Sequence, residues 1–329
     1  MCTAVTYTTK DTYFGRTLDY EIAFGQEVLI TPRNFSFLFR HGETIRRHYA
    51  MVGMGVNAQG YPLYFDGVNE KGLAMAGLNF VGNAVYGKPA PGKDNIAAFE
   101  LIPWILGQCA SVAEAKKLLT NLQLTDTAFS PEYPPARLHW ILADEKGSAV
   151  VEAMADGLHI YDNPVGVLTN DPPFPMQLFR LNDFAHLSPN DPRSPRFGSV
   201  PLTAYSRGMG ALGLPGDGSS MSRFLRAAFT KMHACSGTSE SESVGQFFHI
   251  LGSVEQIRGC CRVEDQNVIT HYTSCCNLSR GIYYYTTYGN RCITAVDMHL
   301  ADLEKKSLQV FPLVETERIL LQNPSVQKE

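Results

Sequence analysis

Met1-Cys2-Thr3-Ala4-Val5-Thr6-Tyr7-Thr8-Thr9-Lys10-Asp11-Thr12-Tyr13-Phe14-Gly15-Arg16-Thr17-Leu18-Asp19 is the stretch from which the rest of the chain can be read. β-branched and aromatic residues run from Thr3 to Thr9, break at Lys10-Asp11 and resume at Thr12-Tyr13-Phe14, which predicts a hairpin with Cys2 at a strand start. Removing Met1 would leave a thiol and a free α-amine on one residue. A thiol of pKa about 8.5 is mostly protonated near neutral pH, and an α-amine of pKa about 7.7–8.0 is matched to take its proton. Cys2 would then be nucleophile and base together. Standing alone, a cysteine near a terminus is usually incidental, so the rest of the chain must decide.

The 329 residues, 44% hydrophobic, can bury one large α/β-type core or two ordinary ones. A formal charge of -4 gives no basic footprint, so nucleic acid is not an expected partner. No apolar run reaches about 18 residues, and no basic segment leads into an apolar one near Met1. Neither a membrane anchor nor a secretory signal is expected, and the location expected is the cytoplasm. Eight cysteines are too few for a disulfide-stapled fold of this length, which fits a reducing compartment. The vicinal pairs Cys260-Cys261 and Cys275-Cys276 invite a zinc or redox reading. Neither is a C-x-x-C, however, and adjacent strand residues point to opposite faces, so buried or half-buried thiols without metal are expected.

Further strands are predicted near residues 49–55, 64–67, 73–79, 138–144, 149–154, 158–161 and 165–169, with short turns at Asp144-Glu145-Lys146-Gly147 and Asp156-Gly157. Helical spacing begins at Ile96 and continues through Phe99, Leu101, Trp104 and Leu106, with Pro103 a kink or boundary. Ser111-Val112-Ala113-Glu114 reads as a capping box. Two later helices cover 221–232 and 243–252, and strands return at 271–276, 281–288 and 292–298. The alternation of strand and helix blocks predicts helices outside two mainly antiparallel sheets, an α+β arrangement within one domain. The proline-rich 188–201 and serine-rich 236–243 stretches are expected to be loops, and the tail after Leu321 is expected to fray.

Cleaving an amide with Cys2 requires a positive neighbour for the thiolate, an acceptor for the amine and donors for the oxyanion. Arg16 and Asp19 follow the first hairpin and suit the first two needs, although such a pair is commonly a surface ion pair. Asn79 at a strand end and Asn170 before Asp171-Pro172 carry amide donors, with a turn role as the alternative. Arg223 falls in the first turn of a helix, where the macrodipole disfavours a cation, so another partner should hold it.

Taken in order, Met1-Cys2-Thr3, Gly15-Arg16-Thr17-Leu18-Asp19, Asn69-Glu70-Lys71-Gly72-Leu73, Gly77-Leu78-Asn79-Phe80, Gly166-Val167-Leu168-Thr169-Asn170, Gly213-Leu214-Pro215-Gly216-Asp217, Ser222-Arg223-Phe224 and Gly281-Ile282-Tyr283-Tyr284-Tyr285 resemble the choloylglycine hydrolase family over nearly the whole chain. The resemblance implies an N-terminal nucleophile hydrolase fold, a four-layer αββα sandwich over residues 1–329, with no metal or organic cofactor. It implies that Cys2 attacks the amide carbonyl, Arg16 sits by the sulfur and Asp19 holds the amine. Asn79 and Asn170 would line the oxyanion site, Arg223 would support its charge, and water would release an acyl-thioester.

That family divides between conjugated bile salt hydrolases and penicillin V acylases. Asn79 is the bile-salt-like residue, where the acylases commonly carry tyrosine. Conjugated bile salts are therefore the expected substrate, with penicillin V or another N-acyl amide as the alternative and a non-catalytic steroid or fatty-acid binder as the alternative of another class. Ile22, Phe24, Phe129 and Tyr133 are candidates for an apolar mouth around a steroid. Arg207, beside Arg16 and Arg223, is a candidate for the anionic glycine or taurine end. The resemblance also implies a homotetramer assembled through about 188–209.

Overall fold

A computed structural model describes residues 1–323. The sheets are built from β1 (Cys2–Thr8), β2 (Thr12–Tyr20), β3 (Glu27–Thr31), β4 (Met51–Ala58), β5 (Tyr61–Asn69), β6 (Ala74–Asn79) and β7 (Leu138–Asp144). They continue with β8 (Gly147–Met154), β9 (Gly157–Asp162), β10 (Val167–Leu168), β11 (Ile269–Asn277), β12 (Ile282–Thr287), β13 (Asn290–Asp297) and β14 (Gln309–Phe311). One sheet has the order β10-β1-β2-β11-β12-β13 and the other β9-β8-β7-β6-β5-β4-β3-β14. Every neighbouring pair in both is antiparallel.

In the eight-stranded sheet the two-residue strand period divides neighbouring residues between two cores. Val52, Ala76 and Ile141 belong to the core that contains the inter-sheet side chains of Cys2 and Ala4. Their neighbours Met51, Met75 and Leu142 join a second core with helices α1 (Leu101–Gln108) and α2 (Val112–Leu119). The six-stranded sheet is covered in turn by α4 (Ser220–His233) and α5 (Glu240–Gly252), while α3 (Phe174–Arg180) packs on α4. The layers are therefore helix, sheet, sheet, helix, and the central strands of both sheets are buried on both faces.

Several elements differ from expectation. Residues from Ile96 do not begin a helix: Asp94–Ala97 pairs in parallel with Leu122–Thr125, and a single 3-10 turn at Ala98–Glu100 leads into α1. Pro103 lies in the first turn of α1, where a missing N–H has no helical partner to lose. Half of the serine-rich stretch is helix, because Ser239 and Glu242 form a reciprocal capping box that starts α5 at Glu240. At α2, Ser111 caps the Glu114 N–H, but the Glu114 carboxylate turns back to Ala110. The proline-rich stretch holds one small hairpin, Arg196–Phe197 with Val200–Pro201. Most of the expected frayed tail lies outside the described residues.

The β1–β2 register sets the site. Ala4 faces Arg16 and Cys2 faces Leu18, so the side chains of Cys2 and Arg16 share one face and are diagonal neighbours. Thr3, Thr17 and Asp19 fall on the other face, toward α4. This register rests on a close approach, since a Cβ on Gly15 would stand 1.9 Å from the Ser274 carbonyl oxygen of β11. Gly15→Ala must push β2 and β11 apart at the centre of their sheet, and it is expected to cost about 1–3 kcal/mol or more. Urea unfolding of the two proteins under one buffer checks the loss.

Candidate active site

Cys2 lies 3% exposed at the start of β1, and its backbone N–H donates to Asn170 Oδ1 at 2.8 Å. Met1 extends the strand: Asp19 N–H donates to the Met1 carbonyl at 2.9 Å, and the Met1 amine bonds the Asp19 carbonyl. Asp19 is fully buried, with Oδ1 accepting from Thr270 Oγ1 at 2.6 Å and Oδ2 from Thr17 Oγ1 at 3.0 Å. Behind Cys2, Arg223 answers the helix-dipole argument with other partners. Its guanidinium donates to Gly218 O at 2.9 Å, Thr3 Oγ1 at 2.7 Å, Asn170 Oδ1 at 2.6 Å and Cys2 O at 2.5 Å, with Asp19 Oδ2 4.0 Å away. Burial lowers the Arg223 pKa, opposed by Asp19 and Cys2.

Arg16 lies on the thiol's side of the sheet. Nη1 donates to Gly77 O at 2.7 Å and Nε to Thr17 O at 3.1 Å, while Nη2 is buried without a hydrogen-bond partner. Burial works to discharge this guanidinium, but Cys2, Tyr272, Asp66 and Asp19 overcome it and hold the pKa above its ordinary value. A buried donor left free beside a thiol is a place for negative charge.

Asn79, half-buried at the end of β6, accepts from Asn170 Nδ2 at 2.8 Å through its backbone carbonyl. Asn170 therefore departs from the expected oxyanion role. Two donors, Cys2 N–H and Arg223 Nη2, converge on one of its side-chain atoms, which must be the oxygen, and Nδ2 is committed to Asn79. It meets Cys2 as an acceptor. The loop carrying it is held from below, because Gln177 Nε2 donates to Asn170 O at 2.5 Å and Thr169 Oγ1 donates to Gln177 Oε1 at 2.9 Å. His139 on β7 bonds Thr169 O through Nε2 at 2.9 Å and Glu152 on β8 through Nδ1 at 2.9 Å, both side chains fully buried. The sequence reading missed His139, Glu152 and Gln177; for the first two, single polar residues inside apolar strands were the available signal, while Gln177 lies on α3.

Tyr20, also missed, joins the charged centre to an aromatic surface. Burial raises its phenol pKa, as do Glu21 and Cys2, while a side-chain hydrogen bond with Asn79 lowers it. Its ring lies 5.0 Å from that of Phe24, which packs 5.7 Å from Phe65. Phe24, Phe65, Tyr61, Phe99 and Phe129 all pack on Val56, Ala58 and Leu63, and Phe129 contacts Tyr133 at 6.1 Å. Thus Phe24, Phe129 and Tyr133 form one apolar surface, and Ile22, 48% exposed, stands on the loop between Tyr20 and Phe24. The alternation Tyr61, Leu63, Phe65 along β5 was the sequence signal for the remainder.

Arg207 stands on the surface and is not among the residues gathered around Cys2. Its side chain is 99% exposed and paired with Asp191 at 3.4 Å, and Asp191 also accepts from Met209 N–H, so the segment holds the guanidinium outward. Cys260 is likewise exposed rather than buried, on a turn, whereas Cys275 and Cys276 are fully buried on opposite faces of β11 and burial pushes both thiols up. Among the described residues no three His, Cys, Asp or Glu side chains converge as a metal-holding group, and no helix is long and apolar enough to cross a membrane.

A family profile described as "Linear amide C-N hydrolases, choloylglycine hydrolase family" matches residues 2–311. The chain is 52% identical over 314 residues to the bile salt hydrolase/transferase of Lactiplantibacillus plantarum, covering 95% of this chain and 97% of that one. A crystal structure of the conjugated bile acid hydrolase of Clostridium perfringens superposes with a TM-score of 0.91 at 38% identity, over 98% of this chain and all of the other. The penicillin V acylase of Agrobacterium tumefaciens shares the fold, with a TM-score of 0.76 at 22% identity over 95% of this chain and 92% of its own. With its αββα layers and a match that spans nearly its whole length, the chain belongs to the choloylglycine hydrolase family of linear amide C-N hydrolases.

Proposed function

We propose that the protein hydrolyses the amide of glycine- and taurine-conjugated bile acids through an acyl-thioester on Cys2, after Met1 is removed. The observation that carries this reading is the juxtaposition of a buried Cys2, its backbone nitrogen held by Asn170, with the aromatic surface that begins at Tyr20. Once Met1 is absent, the nitrogen beside Asn170 Oδ1 becomes an α-amine. Asp19, fixed by Thr17 and Thr270, supplies the negative charge that orients it.

The amine takes the thiol proton, and the thiolate attacks the amide carbonyl carbon. The free Nη2 of Arg16 faces the sulfur's charge, and Asn79 donors receive the oxyanion. Passing its proton to the departing nitrogen, the amine lets the C–N bond break, which frees glycine or taurine and leaves the acyl group on sulfur. Water then splits the thioester. An amine in place of water would make a new amide, the transferase half of the relative's name. A steroid nucleus fits the Phe24, Phe65 and Phe129 surface, where each buried methylene contributes about 0.8 kcal/mol.

The fuller reading is a cytoplasmic homotetramer assembled through 188–209, supported by the exposed apolar side chains of Phe197 and Val200 in that segment and of Leu202 and Tyr205 after its small hairpin. Light scattering on a size-exclusion column is expected to give four copies for the parent and fewer for Phe197→Asp.

Intact mass of active enzyme is expected to begin at Cys2, and protein retaining Met1, or Cys2→Ala, is expected to lose at least a hundredfold in kcat. Full activity in either would overturn the mechanism. Comparing glycocholate with penicillin V on one preparation is expected to give the higher kcat/KM for glycocholate. A penicillin preference would instead make the protein a penicillin acylase.

A further inference from the structure

Asp66, in the middle of β5, is 1% exposed and faces the interior between the sheets. Tyr272 of β11 donates its hydroxyl to Asp66 Oδ2 at 2.6 Å, and Tyr283 of β12 donates to Oδ1 at 2.7 Å. Both phenols come from the opposite sheet, so the carboxylate is clamped across the interface. Met54 of β4 is its cross-strand neighbour. Burial raises the Asp66 carboxyl pKa, and the charged group that opposes this most strongly is Arg16 of β2, helped by the Tyr272 and Tyr283 hydroxyls, yet Asp66 and Arg16 make no ion pair within 4 Å among the described residues. Cys276 of β11 also lies in range of Asp66. Around Cys2 itself stand Arg16 and Asp19 of β2, Arg223 of α4, Tyr20 and Tyr272.

A buried guanidinium needs a negative charge nearby, and a direct ion pair would occupy its donors. Here the phenols take both carboxylate oxygens, so Asp66 offsets the charge of Arg16 from a fixed distance and leaves Nη2 free. We propose that Asp66, clamped by Tyr272 and Tyr283, is the positioning counter-charge of Arg16: it keeps Nη2 open toward the Cys2 sulfur and limits how far Arg16 stabilises the thiolate. The proposal rests on Cys2 being the nucleophile. Its chemical sense is that a thiolate stabilised too strongly attacks poorly, the best attacking thiol having a pKa near the ambient pH.

Two variants separate this role from simple damage. Asp66→Asn removes the negative charge, so the pull of Arg16 on the thiolate is no longer offset. The pH midpoint for iodoacetamide alkylation of Cys2, followed on the N-terminal peptide by mass spectrometry, is expected to fall by about one unit, the acid limb of kcat/KM moving with it. Tyr283→Phe keeps the charge but releases one carboxylate oxygen to reach Nη2, and the midpoint is expected to rise. Opposite shifts support the proposal. An unmoved midpoint in Asp66→Asn overturns it, as does a shift of the same sign in both variants. If Asp66→Asn fails to fold, Tyr283→Phe decides by the sign of its shift, an unmoved or lowered midpoint overturning the proposal. Because alkylation needs no turnover, an active Cys2→Ala protein would defeat the catalytic reading without altering this measurement.

Discussion

The antiparallel register between β1 and β2 is the constraint on which the site depends. A shift of one residue would send the Cys2 thiol toward α4 and away from Arg16, because the side-chain period of a strand is two. With Ala4 opposite Arg16, the thiol and guanidinium face the neighbouring sheet, and Thr3, Thr17 and Asp19 face the helix that brings Arg223. Cys2 thus stands where two layers meet, its side chain addressed from one side and its backbone from the other.

That position buries charge heavily. Arg16, Asp19, Asp66 and Arg223 are all withdrawn from water, which costs several kcal/mol per ion unless compensated. The compensation is divided by layer. Asp19 and Arg223 balance each other across 4.0 Å on the helix side, with Thr3, Thr17, Thr270 and Asn170 taking up their hydrogen bonds. Arg16 and Asp66 balance each other between the sheets, with Gly77, Tyr272 and Tyr283 doing the same. Each pair brings one charge near Cys2 without spending it wholly on its partner.

The sequence made the first hairpin, both later helices and most strands legible, since β-branched runs and short turns are local signals. Glu27–Thr31 escaped because its apolar run, Val28-Leu29-Ile30, has too little length to declare a period. Ile96 misled because its spacing to Phe99 and Leu101 also suits a strand that turns sharply into a helix. Cys2, Arg16 and Asp19 could be grouped from the hairpin alone, whereas Asn79, Asn170 and Arg223 could be named singly but converge only in three dimensions, so their grouping came through family resemblance. Asn170 was read as an oxyanion donor and meets Cys2 N–H through its side-chain oxygen in the structure, a difference of amide end that spacing cannot distinguish. Asp66, His139 and Glu152 passed unnoticed for a shared reason: a polar residue in a strand ordinarily marks a solvated face, and in a sandwich covered on both sides no such face exists.

Chemistry and recognition are built from different material in this fold. Arg16, Asp19 and Asp66 sit on central strands and Arg223 on α4, all of them buried, so their geometry tolerates little change. Phe24, Phe129 and Tyr133 lie on loops, supported by Phe65 and Tyr61 on β5 and braced by Arg40, whose guanidinium lies 5.3 Å from the Phe129 ring and donates to the Phe129 carbonyl. Loop aromatics pack through area and shape, so they can be exchanged without leaving a buried charge unpaired. Tyr20 connects the two regions, with Asn79 acting on its phenol and the Phe24 ring tilted against it at 5.0 Å. A change in the mouth can therefore reach the reacting centre through one side chain, while the balance of charges behind Cys2 stays as the register of two strands sets it.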